Sequence, residues 1–487
     1  MKFIRDCIIA GGPCALTGVK LCVVATGLSA CSAGPASSSE ATQTVGSAES
    51  AAGLARSTRF FTPLPGFGAF IQDTQLQAAQ AAADQQVLGL IESGDLKDAA
   101  LLADVLAQPE AVWFTGGTPA QVEQMASLTV KTSKLQRSVP VLVAYNVPFR
   151  DCAQYSAGGA TDTAAYEAWI DAFAAGIGQA KAVVVLEPDS LGIIPYNTTI
   201  YGSAEWCQPD LTGTGLTPAE ANAARYVQIN YAVHSLATHA PNALVYLDGT
   251  HSAWLGVGEA AYRLYTAGVQ QARGFYVNVS NYQPTDQSTQ FATWVSDCLT
   301  ASIVNSAGAL GAFQSCPSQY DPALNYAIDY SAAYEAKVTA QLETMPAGAT
   351  PTTSFIIDTS RNGQGTLNTT VYAQPPYNQP ASVISSLNGD NWCNPPGAGV
   401  GLRPTANTSV PLLDAYLWVK TVGESDGQCD IAGGARAWDY ADYNPWGLTG
   451  DAQNTFDPLW GQVDPAAGVW FSAQALQLAQ RASPALF

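Results

Sequence analysis

The sequence predicts an α/β chain built as a parallel (β/α) barrel, closed or nearly so, and three observations carry that prediction. Seven short apolar runs recur along the chain, each about as long as a strand. Helix-like stretches lie between several of them, and strands alternating with helices imply a parallel sheet. Each run ends in polar residues, which gathers chemistry at one end of such a sheet. Periodicity alone does not decide whether the barrel closes.

The chain begins with a segment that reads as an export signal. Lys2 and Arg5 give a basic start, and small or apolar residues run to Ala30, interrupted by Lys20. The apolar run after Lys20 is too short for a spanning helix. Leu28-Ser29-Ala30-Cys31 resembles a bacterial lipobox, with Cys31 as the lipidated residue; ordinary cleavage nearby is the plainer alternative. Residues 32–57 are rich in Ser, Ala, Gly and Thr and read as a flexible linker. Residues 58–487 are globular in composition and are expected to form one domain, with a monomer as the expected state. The expected location is outside the cell, secreted or surface-anchored, including an outer-membrane lipoprotein.

Only 12% of the 487 residues are charged, and the net charge is −19. A polyanion would be repelled, so nucleic acid is excluded as a partner. Three histidines and no His/Cys cluster at ligand spacing argue against a catalytic zinc site, and no metal or cofactor is expected.

The strand-like runs are 111–115 (AVWFT), 141–145 (VLVAY), 182–186 (AVVVL), 243–247 (ALVYL), 274–279 (GFYVNV), 354–357 (SFII) and 415–419 (AYLWV). Between them, 163–178 carries Tyr166, Ile170 and Phe173 on a helical stripe. The segment 217–239 opens TPAE, with Thr217 as N-cap, Pro218 in the first turn and Glu220 closing a capping box. Residues 283–327 and 362–390 read as long loop insertions, the second rich in Pro, Asn, Gly and Ser.

The stretch AVVVLEPDSLG at 182–192 is the centre of the chemistry. A run of valines reads as a strand buried on both faces. Alternation would put Glu187 and Asp189 on one side, with Pro188 ending the ladder. Two carboxylates there are costly unless paired, hydrogen-bonded or used; a structural acid pair is the plain alternative. Other strand ends supply Arg150 and Asp151; Asp248, His251 and Trp254; Asn281; Asp358 and Arg361; and Lys420, Glu424 and Asp426. Carboxylates, amides and indoles converging on one face suit a neutral polyhydroxylated ligand. Asp248 with His251 could equally be a structural pair, Arg361 the partner of an acid, and Trp254 a core residue.

The blocks YNVPFRDC, VVLEPDSLG, LDGTHSAWLG, NVSNY and NWCNPPGAGVGLRP…WVKTVGESDG resemble, in order, the motifs of glycoside hydrolase family 6, cellulases of the cellobiohydrolase II and endoglucanase kind. The resemblance runs from about Ala111 to Phe487. It implies a distorted, incompletely closed, TIM-like barrel of about seven strands acting on β-1,4-glucan with inversion. Asp189 matches the general acid, and Asp151 the neighbouring acid that keeps its proton in place and helps relay one from water. Tyr145 matches the tyrosine that crowds the scissile sugar, and Ser156 falls beside the serine that holds water. Asp426 matches the disputed base, with Lys420 and Glu424 at sugar-contacting positions. Trp113, Trp254 and Trp392 match platforms along the cleft. Arg150, Asp248, His251, Asn281 and Arg361 complete the expected substrate-binding set.

Ten cysteines divide into four in the export segment and six beyond it, an even number suited to disulfides in an exported chain. The resemblance implies Cys152–Cys207 and Cys393–Cys429; Cys298–Cys316 follows by elimination. Exo action with release of cellobiose from non-reducing ends is expected, with endo-β-1,4-glucanase as the alternative. A glucan-binding surface protein on a dead barrel is the alternative of another class.

Overall fold

The computed structural model describes residues 53–321, 327–345 and 349–487. The export segment, Cys31 and most of the linker lie outside the described residues. Gly53–Phe487 forms one compact unit.

Seven strands form one sheet: β1 Val112–Phe114, β2 Val141–Ala144, β3 Ala182–Leu186, β4 Ala243–Asp248, β5 Gly274–Val277, β6 Ser354–Asp358 and β7 Leu413–Leu417. Their spatial order is their sequence order, and every neighbouring pair is parallel. No ladder joins β1 to β7 among the described residues, so the barrel is curled but incompletely closed. One backbone bond, from Ala111 N–H to the Trp418 carbonyl at 3.0 Å, crosses at the seam.

Strand alternation sorts the core into two layers. Ala182, Val184 and Leu186 of β3 belong to the large cluster between sheet and helices. Val183 and Val185 belong to a second cluster inside the curl, with Val141, Val143, Tyr246, Tyr276 and Ile356. A strand buried on both faces has no polar position to offer, which is why 182–186 is apolar throughout. The last strand starts two residues earlier than expected. Asp414 interrupts its apolar pattern at an irregularity in the β6–β7 register, and its carboxylate binds Arg273 Nε at 2.8 Å and the Tyr246 hydroxyl at 2.7 Å.

The helix Thr163–Ile177 is capped by Asp162 and buries Tyr166, Trp169, Ile170 and Phe173. The helix Pro218–His239 carries the full Thr217/Glu220 capping box with Pro218 at its start. The two expected insertions differ from expectation. Residues 283–321 are not one loop: a 22-residue helix, Thr285–Ser306, occupies more than half of them, followed by a short helix at Leu310–Gln314. Its inner face is Phe291, Trp294, Val295, Cys298 and Leu299 mixed with buried Ser288, Ser296 and Ser302, and the serines hide the apolar stripe. Cys298 is bonded to Cys316. Residues 362–390 contain a 3-10 turn at Thr369–Ala373 and a helix at Ala381–Gly389.

Candidate active site

Strand β3 stops at Leu186, so alternation does not govern the two carboxylates after it. Glu187 and Asp189 both take left-handed backbone angles, φ 51° and 63°, in a tight turn. They separate in role. Glu187 is buried and accepts from the Asn146 and Val147 amides at 2.8 and 2.9 Å, joining this turn to the loop after β2. Burial raises Glu187 to about 7. The Asp189 carboxyl has no hydrogen-bond partner among the described residues. Burial and the charges of Asp248, Asp151 and Asp426 raise its pKa well above the usual carboxylate range, with Lys420 opposing. These surroundings favour the protonated form of the carboxyl, and no acceptor among the described residues takes its proton, an arrangement suited to a proton donor.

Three buried side chains hold the turn in place. Asp248 accepts from the Leu191 and Gly192 amides at 3.0 and 3.1 Å and from Thr250 at 2.8 Å. Arg263 donates to the Leu191 carbonyl at 2.7 Å and is paired with Glu259 and Glu205. Arg225 donates to the Ser190 and Ile193 carbonyls at 2.7 and 2.8 Å, and across to Pro148 at 2.8 Å. Gly192 has no side chain because the Trp254 indole lies on it: a Cβ there would sit 2.5 Å from the ring.

The loop carrying Asp151 is strained. Phe149, Asp151, Cys152 and Ala153 all have positive φ, a conformation that costs non-glycine residues about 1–3 kcal/mol each. It is tied at several points. Cys152 is bonded to Cys207. Arg150 lies over the Tyr145 ring at 4.6 Å and donates to the carbonyls of Tyr145, Thr115, Ser156 and Ala157. The Ser156 amide donates to the Asp151 carboxylate at 2.8 Å. Burial raises Asp151 to about 6, against that hydrogen bond and the Arg150 charge. Tyr145 is buried and meets Trp113 edge-on at 5.4 Å.

Asp426 sits in a different environment. Arg361 Nη1 reaches both its oxygens at 2.9 Å, the Asn394 amide donates at 3.0 Å, the Tyr282 hydroxyl at 3.2 Å, and Lys420 Nζ lies 3.6 Å away. Arg361 also covers the Tyr282 ring at 4.4 Å and donates to the Ser280 carbonyl. Lys420 Nζ donates to the Ser425 carbonyl at 3.3 Å. Glu424 is buried, which raises it to about 7.

The remaining expected residues fall around this centre. The Trp113 indole donates to the Val419 carbonyl at 2.8 Å. His251 accepts from the Ala253 amide at 3.2 Å and packs against Trp254 at 5.5 Å; burial lowers it to about 3, so it is neutral in ordinary conditions. The Asn281 side-chain oxygen accepts from the Tyr282 amide and the Gln283 side chain at 2.9 and 3.0 Å. Trp392 is half-buried against Tyr155, and the neighbouring Cys393 is bonded to Cys429.

The match that decides the identity covers most of the chain: the family model described as Glycosyl hydrolases family 6 aligns with residues 71–482. The chain belongs to that family. A curated relative, "Endoglucanase 1" of Streptomyces halstedii, is 32% identical over 71% of this chain and 79% of its own. A "Probable 1,4-beta-D-glucan cellobiohydrolase C" of Neosartorya fischeri is 30% identical over 77% and 70%. The family 6 architecture also appears in the solved endoglucanase Cel6 from Mycobacterium tuberculosis, in complex with methyl-cellobiosyl-4-deoxy-4-thio-β-D-cellobioside, at 27% identity and TM-score 0.50 over 78% of this chain and 89% of that one. The endoglucanase CEL6B from Humicola insolens shares the fold at 23% identity and TM-score 0.51, covering 87% and 96%.

Several residues that build this family 6 site carry little or no mark in the sequence. Asn394 exchanges backbone and side-chain bonds with Asp426, and its Nδ2 reaches Ser425 and Asp464 at 2.9 and 3.0 Å. Its one signal is its place inside the NWCNPPG block. Arg225 and Arg263 bond carbonyls far away in sequence, and no local pattern marks them.

Proposed function

We propose that the chain hydrolyses β-1,4-glucosidic bonds of cellulose with inversion, Asp189 donating the proton. The carrying observation is the contrast among the acids: Asp189 is half-buried among carboxylates and unpartnered among the described residues, while Asp426 is occupied by an arginine, a lysine, a tyrosine and an amide. In a single displacement, the Asp189 proton passes to the leaving glycosidic oxygen as the C1–O bond breaks. A water attacks C1 from the other side and loses its proton. The Asp426 oxygens are already taken up by hydrogen bonds from Arg361, Asn394 and Tyr282, which leaves no lone pair directed at an incoming water. The acceptor is therefore Asp151, reached through a water at Ser156, with Asp426 supporting the site. Tyr145, braced by Trp113 and Arg150, stands beside the two acids and crowds the sugar toward a distorted ring.

This assignment sets the pH profile. Asp151 must be ionised to accept, so kcat/KM is expected to fall as pH drops through about 6. Asp189 must be protonated to donate, so activity is lost again in alkali, as the proton leaves its raised pKa. A profile flat down to pH 4 would remove Asp151 from the role.

We infer exo action, with cellobiose leaving from non-reducing ends. Its support is the way two long segments after β6 and β7 interlock. Gln379 exchanges two hydrogen bonds with Asp439, and Tyr372 and Tyr377 pack on Trp438 and Tyr443. A wall stiffened in this way favours a chain threaded from its end over one laid in midway. Viscosity against new reducing ends on carboxymethylcellulose tests it: little viscosity loss per bond cut is expected. A steep loss would make the chain an endoglucanase, as several relatives are named, with the chemistry unchanged. The anomeric form of fresh product from cellohexaose tests inversion separately.

A further inference from the structure

At the end of the sheet away from the acids, a crevice of about 720 Å³ is lined by five cations, Arg59, Lys131, Lys134, Arg137 and Lys181, and by no acidic side chain. All five are exposed, and none takes part in a salt bridge among the described residues. That is unusual in a chain with net charge −19, whose arginines at positions 225, 263, 361 and 436 are buried and committed to internal partners. Lys181 directly precedes β3 and Val139 lies just before β2, so the crevice sits at the amino ends of these strands. Asp151 and Asp189 follow their carboxyl ends. Strands of this length separate the two faces by about 15 Å. That exceeds the Debye length of about 8 Å at physiological salt, so these two acids do not cancel the basic face; Asp414, which lies near Gly53, is already paired with Arg273.

A second observation names the partner. Leu135 closes the helix Pro119–Leu135 between Lys134 and Arg137 in sequence, and it is 86% exposed, the barest of the large hydrophobic side chains among the described residues. A basic cluster with a bare apolar side chain is the composition of a surface that rests on anionic lipid: the cations meet phosphates and the leucine enters the interface. An acidic polysaccharide would satisfy the cations and leave Leu135 without a use. The first described residue, Gly53, accepts from Lys181 Nζ through its carbonyl at 3.5 Å, so the linker joins the domain at this same face.

We propose that this basic face docks the domain on membranes bearing anionic phospholipid headgroups and turns the hydrolytic face outward, toward the polymer. It needs no lipid on Cys31. The test uses residues 32–487, which keep the whole compact unit and the three disulfides of the described residues, in sedimentation with phosphatidylcholine vesicles with and without phosphatidylglycerol. Binding is expected only where phosphatidylglycerol is present, and it should weaken with added salt. The triple variant Lys131→Glu/Lys134→Glu/Arg137→Glu should bind at least about tenfold less, since each cation near such a surface contributes roughly fivefold. Leu135→Asp alone should bind severalfold less. Both should hydrolyse soluble cello-oligosaccharides at the unaltered rate, which reports that they are folded. If the triple variant loses that activity, Leu135→Asp and the salt dependence decide. Absence of vesicle binding, equal binding to phosphatidylcholine alone, variants that bind like the parent, or capture by polygalacturonate without vesicle binding would each overturn the proposal.

Discussion

Asp189→Asn is expected to lower turnover on cellulose by about 10²–10⁴-fold, the usual contribution of a positioned general acid. The amide matches the carboxyl in shape and cannot donate a proton to the leaving oxygen. No hydrogen bond to the protein is lost, because the Asp189 carboxyl makes none among the described residues. The thermal transition and the affinity for cello-oligosaccharides should therefore hold. Stability should even rise slightly, since a half-buried group surrounded by carboxylates no longer has to avoid ionising. Substrates with activated leaving groups, which depart without a proton, should be hurt much less. Steady-state kinetics on both substrate types check this, and a near-normal rate on cellulose would remove Asp189 from the role.

Arg436→Met is expected to give the largest loss of stability, about 3–5 kcal/mol, because it strands a buried charge. Arg436 binds both oxygens of Asp457 at 3.0 and 2.9 Å and the Cys393 carbonyl at 2.7 Å, with all partners buried. Methionine fills the volume but leaves Asp457 unpaired beside Asp464. Burial and the Asp457 charge already raise Asp464 to about 9. A pKa raised in the folded state means that the native protein holds a proton the unfolded chain releases. That contribution is complete below the unfolded value near 4 and disappears as pH rises through about 9. The parent should thus be more stable in mild acid than in mild alkali. Urea unfolding of parent and variant at both ends of that window measures both effects.

The parts of the fold that were legible are those whose cause is local. AVVVL can only be a strand buried on two faces, and TPAE carries a helix start within four residues. What escaped has distant causes. The helix Thr285–Ser306 buries serines against other elements, so its inner face carries no continuous apolar signal. Glu187 and Asp189 look equivalent in the sequence, and only the amides of Asn146 and Val147, about forty residues away, make one a brace and leave the other free. The Asp426 surroundings likewise gather Tyr282, Arg361 and Asn394 from three separate loops. Arg150 looks like a sugar ligand in a motif, yet its guanidinium is directed at four carbonyls, three of them in its own loop and one, Thr115, at the end of β1.

The bond between Cys152 and Cys207 adjoins Asp151, in a loop with four left-handed non-glycine residues. Hydrogen bonds alone would have to hold that conformation while the cysteines are reduced. Without the bond, the segment carrying Asp151 loses its covalent tie to the segment that follows the Asp189 turn. The activity proposed above is therefore expected to depend on the redox state of this one bond, and to be complete only where disulfides persist.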